Sequence, residues 1–241
     1  MTAARRLAAR AALSCLALAA AVASAAPPTR QAIIKACDET ESAALCEKLI
    51  EANQMKAFPG IAVRDGDVLR LKTRAGVPPV ELRDFGDPDD ETGVAYRAYA
   101  LWDYWPQRKV AVVSVMTQAS ESYLLVDLDG GQETRLVAEP LLSPDGQRFL
   151  VADLCDKKCG NAIQIWRFDR ARPVRERTFK PPVKWYEAEV SWRDAATLAV
   201  EYSVPGPRRR FVEVDELELE RARPRLLKLN DDDWTIDEAR R

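Results

Sequence analysis

Few folds accommodate the stretch from Tyr123 to Asp153. It reads Y-L-L-V-D-L-D-G-G-Q-E-T-R-L-V-A-E-P-L-L-S-P-D-G-Q-R-F-L-V-A-D and parses as strand, turn, strand, turn, strand. Tyr123 to Leu128 is an apolar run rich in β-formers. Asp129-Gly130-Gly131 supplies the residue types that tolerate the positive φ of a tight hairpin turn. Thr134 to Ala138 is a second short strand. Ser143-Pro144-Asp145-Gly146 fits a type I turn, with proline fixing its own φ at the second position. Phe149 to Leu154 follows and is apolar at nearly every position, the pattern of a strand buried on both faces.

These residues carry a resemblance. Val126-Asp127-Leu128, Gly130-Gly131 and Ser143 to Gly146 resemble the WD40-like repeat of TolB-type β-propellers, over about 30 residues of a pattern that repeats blade by blade. The resemblance implies a propeller fold and is silent on activity, because propellers host many unrelated functions. Two weaker echoes flank it. Val110 aligns with Phe149 at 39 residues, Leu198 to Val200 aligns with Phe149 to Val151 at 49, and Trp192-Arg193-Asp194 stands where Ser143-Pro144-Asp145 stood.

The N-terminal residues 1–25 read as a secretory signal peptide. Arg5, Arg6 and Arg10 form the charged region, Ala11 to Val22 the apolar core, and Ala23-Ser24-Ala25 the cleavage site. The chain has 36 basic and 38 acidic residues, a net charge of −2; losing three arginines and no acid leaves −5. A modestly acidic surface disfavours nucleic acid as a partner. No later segment is apolar enough for a transmembrane anchor. A periplasmic or secreted protein is expected, and with it an oxidising compartment.

Cysteine usage agrees. Cys37, Cys46, Cys155 and Cys159 remain after cleavage, an even number. Two local disulfides are the simplest pairing, although four cysteines allow three. Cys155 and Cys159 would staple a hairpin loop. Cys37 and Cys46 on one straight helix would be about 13.5 Å apart along its axis, too far for a bridge, so a local pair requires a bend between them. The spacings fit structural zinc poorly.

The chain contains no histidine. That removes Ser-His-Asp and Cys-His catalytic sites, H-E-x-x-H zinc sites and histidine general bases. A hydrolase of the kind that carries propeller blades beside its catalytic domain is not expected either, since these residues hold neither G-x-S-x-G nor room for the domain.

Residues 26–58 are expected to form an N-terminal helical cap, with Asp38 and Glu41 as a capping box and Ile33, Ile34, Cys37, Leu45, Leu49 and Ile50 as its apolar stripe. Residues 59–241 read as about 14 short strands grouped roughly in fours. The fold class expected is mostly β, a small propeller-like domain of about four blades, closed or incomplete, beneath that cap. Arg175 to Phe179 is expected at an edge, Arg210 to Val214 as a strand, Asn230 to Asp233 exposed, and the tail after Trp234 frayed.

Three function classes compete. A non-enzymatic binding or scaffold protein, docking another envelope protein and using no cofactor, is the leading expectation. Its candidate binding residues are the aromatics Tyr99, Trp102 and Trp105, beside Tyr96 and Tyr104, and the triplet Arg208-Arg209-Arg210. Large aromatics more often fill a core, and a charged triplet more often lies in a solvated loop. The second class is a carboxylate-only enzyme such as a glycosidase, with Asp103, Asp153, Asp194 and Glu201 at or near apolar strands. The third is a calcium or small-ligand sensor using Asp87, Asp89 and Glu91, which alternate as in a calcium loop but lack the downstream bidentate glutamate.

Overall fold

A computed structural model describes residues 37, 43–86, 95–154, 159–170, 172–205, 219–230 and 233–238. Its described elements are one long helix and sixteen strands, all paired antiparallel into four sheets. The helix, α1, spans Ala43–Ala57. The first sheet holds β1 (Ala62–Asp65), β2 (Val68–Leu71) and β3 (Val80–Arg83). The second runs β4 (Arg97–Trp105), β5 (Val110–Thr117), β6 (Glu121–Asp127) and β7 (Glu133–Leu136). The third runs β8 (Pro140–Leu142), β9 (Arg148–Asp153), β10 (Ala162–Asp169) and β11 (Arg172–Phe179), the last at its edge. The fourth holds β12 (Tyr186–Asp194), β13 (Thr197–Pro205), β14 (Leu219–Arg221), β15 (Arg225–Asn230) and β16 (Asp233–Glu238).

The turns form as their residues dictate. Gly131, at φ 70°, closes the β6–β7 hairpin by donating its N–H to the Asp127 carbonyl at 2.7 Å. Gly146, at φ 66°, ends the Ser143 turn and donates to the Ser143 carbonyl at 2.9 Å. Both conformations suit glycine because a Cβ would strain them. Asp145 braces its turn by accepting from the Gln147 N–H (3.0 Å) and the Ser143 hydroxyl (2.7 Å). Asp194 does the same work in the β12–β13 hairpin, accepting from the Ala196 N–H at 2.8 Å. The degenerate Trp-Arg-Asp turn therefore keeps the one side chain that braces the backbone.

Side chains alternate along each strand, and the alternation sorts them into three cores. Ala111 and Val113 of β5, with Leu124 and Val126 of β6, pack on Leu69, Leu71 and Leu82 of the first sheet. Val110, Val112 and Leu125 point the other way, onto Phe149, Val151 and Phe168 of the third. Leu150, Ile163 and Ile165 then meet Leu198, Val200 and Leu227 of the fourth. The two middle sheets are thus buried on both faces, which is why β5 and β9 read as unbroken apolar runs.

The two end sheets bury one face only. On the first, Arg70 pairs with Glu81 and Arg83 with Asp67, all on the outer side. On the fourth, Glu201 stands exposed between the buried Val200 and Tyr202 of β13. Among the described residues no core joins the fourth sheet to the first. The stack is open.

Four expectations are corrected. Leu45 and Leu49 do not face the core: they are 49% and 37% exposed, while Glu47 and Glu51 are buried with Ile50. Residues 235–238 are not frayed, since β16 pairs with β15 from Asn230↔Asp233 to Arg225↔Glu238 and Trp234 is buried. A short strand, β8, precedes the Ser143 turn where none was expected. The alignment of Val110 with Phe149 slips by one: Phe149 and Leu198 both face the preceding sheet, as Ala111 does and Val110 does not. A shift of one residue exchanges the faces of a strand.

Candidate functional site

β4 is an edge strand, so half its backbone N–H and C=O groups face away from β5. At Arg97 the Phe85 backbone satisfies them, each N–H donating to the other's carbonyl at 2.8 Å, and further along β4 side chains do so. The Tyr99 N–H donates to Asp84 Oδ1 at 2.9 Å and the Leu101 N–H to Glu51 Oε2 at 3.0 Å. The Tyr99 carbonyl accepts from Arg64 Nη2. Arg64 is itself held in a fork by Glu51, at 2.9 and 2.7 Å, and reaches Asp84 at 3.1 Å. Bidentate pairing of this kind fixes both partners in orientation. The inverted face of α1 follows directly: the helix sits on a polar strand edge, and its inward residues must accept hydrogen bonds.

Glu47 lies one turn before Glu51, 6% exposed, and shares the hydroxyl of the fully buried Ser114 with the Ala100 carbonyl, 3.5 Å from that hydroxyl. Its Oε1 has no hydrogen-bond partner, nor has Oε1 of Gln54 two turns further along the helix. Burial pushes the Glu47 carboxyl up to about 7; Glu121, Asp84 and Glu51 add to the rise and Ser114 opposes it. Burial likewise raises Asp84, against the Tyr99 N–H and Arg64. The cluster can therefore hold one exchangeable proton near neutral pH in a water-poor setting.

The aromatic run is split between two faces. Tyr99 and Tyr104 pack toward the first sheet, Trp102 and Trp105 toward the third. A bulge between Leu101 and Asp103 makes the switch. Trp105, 3% exposed, lies against Phe149 and Phe168, with ring centroids at 5.7 and 6.1 Å. Trp102 is half-buried and donates its indole N–H to Glu139 at 2.6 Å.

The four carboxylates considered for catalysis serve local structure in three different sheets. Asp103 accepts from the Tyr104 N–H and the Trp105 indole. Asp153 accepts from the Gly160 N–H, Asp194 braces its turn, and Glu201 pairs with Arg221. Glu201 also lines a shallow hollow of about 260 Å³ on the outer face of the fourth sheet with Glu187, Glu189 and Ser203. A second hollow of about 210 Å³, between Asp127, Glu133 and Arg172, lies where the second and third sheets meet.

Cys37 and Cys46 form a disulfide with Cα atoms 4.9 Å apart, tying the first turn of α1 to the preceding chain. Cys159 is half-buried; its expected partner Cys155 lies outside the described residues. So do Asp87, Asp89 and Glu91, the triplet Arg208, Arg209 and Arg210, the strand expected at Arg210 to Val214, the capping pair Asp38 and Glu41, and the signal-like residues 1–25. Among the described residues no group of three or more Cys, Asp or Glu is arranged to hold a metal ion, and no helix is long and apolar enough to cross a membrane.

Sequence reasoning missed Glu47, Glu51, Arg64 and Asp84 as a unit. The available signal was the spacing of Glu47 and Glu51, four apart within a helix, on the side opposite Leu45 and Leu49. Comparisons with protein-family models, with curated proteins and with solved structures return no match.

Proposed function

We propose that the chain is an exported, non-enzymatic binding or scaffold protein of the cell envelope, built as an open propeller-like stack of four blades under a helical cap. The observation that carries this reading is the double burial of the second and third sheets between polar end faces. Successive antiparallel meanders packed face to face are how propeller blades assemble, and a rigid stack presents its loops and edges to a partner. The disulfide at the helical cap and the signal-like N-terminus support a periplasmic or secreted location. The separate, locally engaged carboxylates weigh against a glycosidase, which needs two acids facing one bond.

The test is affinity capture of the tagged mature protein from its envelope fraction. One envelope protein recovered in stoichiometric amount supports the reading. Recovery of nothing above an untagged control, together with turnover of a glycan by the purified protein that is lost on Asp→Asn substitution at Asp103, Asp153 or Asp194, overturns it.

A further inference from the structure

The buried face of α1 holds more negative charge than its one guanidinium can answer. Around Glu47 stand Glu51 and Gln54 of the same helix, Ser114 of β5, Glu121 of β6, Asp84 after β3, and Arg64 of β1. Arg64 is committed to Glu51, Asp84 and the Tyr99 carbonyl. Glu47 has one neutral hydroxyl partner and one orphan oxygen. A proton on Glu47 makes this arrangement tolerable. Without it a second buried carboxylate stands with Glu51, near the half-buried Asp84, and desolvation and like-charge repulsion act together.

The element most easily moved is α1. It is held on the edge of β4 by polar contacts, with Ile50 buried and Met55 touching the first core; it exposes Leu45 and Leu49, and the Cys37–Cys46 bridge ties its first turn so that it shifts as a unit. The first, second and third sheets are joined instead by continuous apolar cores.

We propose that α1 is a proton-operated latch. With Glu47 neutral the helix seats on β4; with Glu47 ionised it lifts, and the backbone groups of Tyr99 and Leu101 lose their cover. The proton passes to solvent and no other reactant is needed. The edge left bare is a row of unpaired donors and acceptors, the part of a sheet most ready to accept another strand.

Hydrogen exchange of the mature, disulfide-intact protein at about pH 5.5 and about pH 8.5, corrected for the intrinsic pH dependence of exchange, tests the latch. Protection of α1 and of the Tyr99 and Leu101 amides should fall about tenfold at the higher pH, while β9 and β10 keep theirs. In Glu47→Gln, which keeps the shape and cannot ionise, the fall should vanish. Equal protection at both values in the native protein, an undiminished fall in Glu47→Gln, or a uniform fall across the molecule overturns the proposal. Should Glu47→Gln not fold, carbon NMR of the native side chain decides. A midpoint near 7 with the Leu101 amide following it supports the latch, and a midpoint in the ordinary carboxylate range overturns it.

Discussion

Glu47 gives the molecule a stability profile unlike that of most acidic side chains. A carboxyl raised in the folded state keeps its proton where the unfolded chain has lost it. From the ordinary value of 4.5 to about 7 the folded form binds more protons, so stability falls as pH rises through that window and stays low above it. Asp84, also raised, acts in the same direction. Asp145 has the opposite sign. Burial opposes its ionisation, but the Ser143 hydroxyl and Gln147 N–H outweigh that and hold it low, so its small contribution is lost on acidification. Urea unfolding should find the native protein about 2 kcal/mol less stable at about pH 8 than at about pH 5. Glu47→Gln should flatten the profile and be the more stable protein at the higher pH. Equal native stability at both values would contradict the assignment. A second residue, Phe149, is fully buried, stacked on Trp166 at 5.7 Å and against Trp105 and Phe168. Phe149→Ala should cost about 3–5 kcal/mol, read as a lowered denaturation midpoint.

At the scale of elements, what was legible in the sequence was what local chemistry decides. β6 and β9 fall within a residue or two of where their apolar runs put them, and the turns at Gly131 and Gly146 adopt the conformations their residues require. What was not legible was decided by neighbours. The apolar spacing of Leu45, Leu49 and Ile50 predicts one buried face, yet α1 turns mostly the other face inward because β4 needs acceptors for its edge amides. The acidic run before Trp234 masks a strand that only the alternation of Trp234 and Ile236 announces. Plain alternation would put Trp105 on the face of Tyr99 and Tyr104 on that of Trp102, and the bulge after Leu101 exchanges them. Of the candidate site, the aromatics could be named but not their division, and the carboxylate–guanidinium cluster joins residues far apart in sequence, the Leu101 amide lying 50 positions from the Glu51 that accepts from it. Its structural weight is testable. Arg64→Met would leave the buried Glu51 uncompensated beside the half-buried Asp84 and should destabilise by about 3 kcal/mol, the low end for a broken buried pair. Adding Glu51→Gln should recover part of that loss, measured by thermal or urea melts of both variants; no recovery would place the role of Arg64 elsewhere.

Among the described residues four sheets stand in a line, each packed on its neighbours only, and a line fails differently from a ring. In a closed propeller every blade has two neighbours, and removing one contact strains the whole circle. In an open stack the fourth sheet is held by a single apolar seam, Leu150, Ile163 and Ile165 against Leu198, Val200 and Leu227. Quasi-linear assemblies lose end units before inner ones when an end seam is weakened. The six tryptophans report this by position, three along the seam between the second and third sheets and three along the last one. Leu198→Ala should remove about 2–5 kcal/mol from the last seam and split unfolding into two steps. Trp185, Trp192 and Trp234 should become exposed at lower urea than Trp102, Trp105 and Trp166, and hydrogen exchange should show β12 to β16 opening while β5, β6 and β9 stay protected. A single transition in Leu198→Ala, coincident for all six indoles, would mean that the end sheets support one another and that the ring is closed.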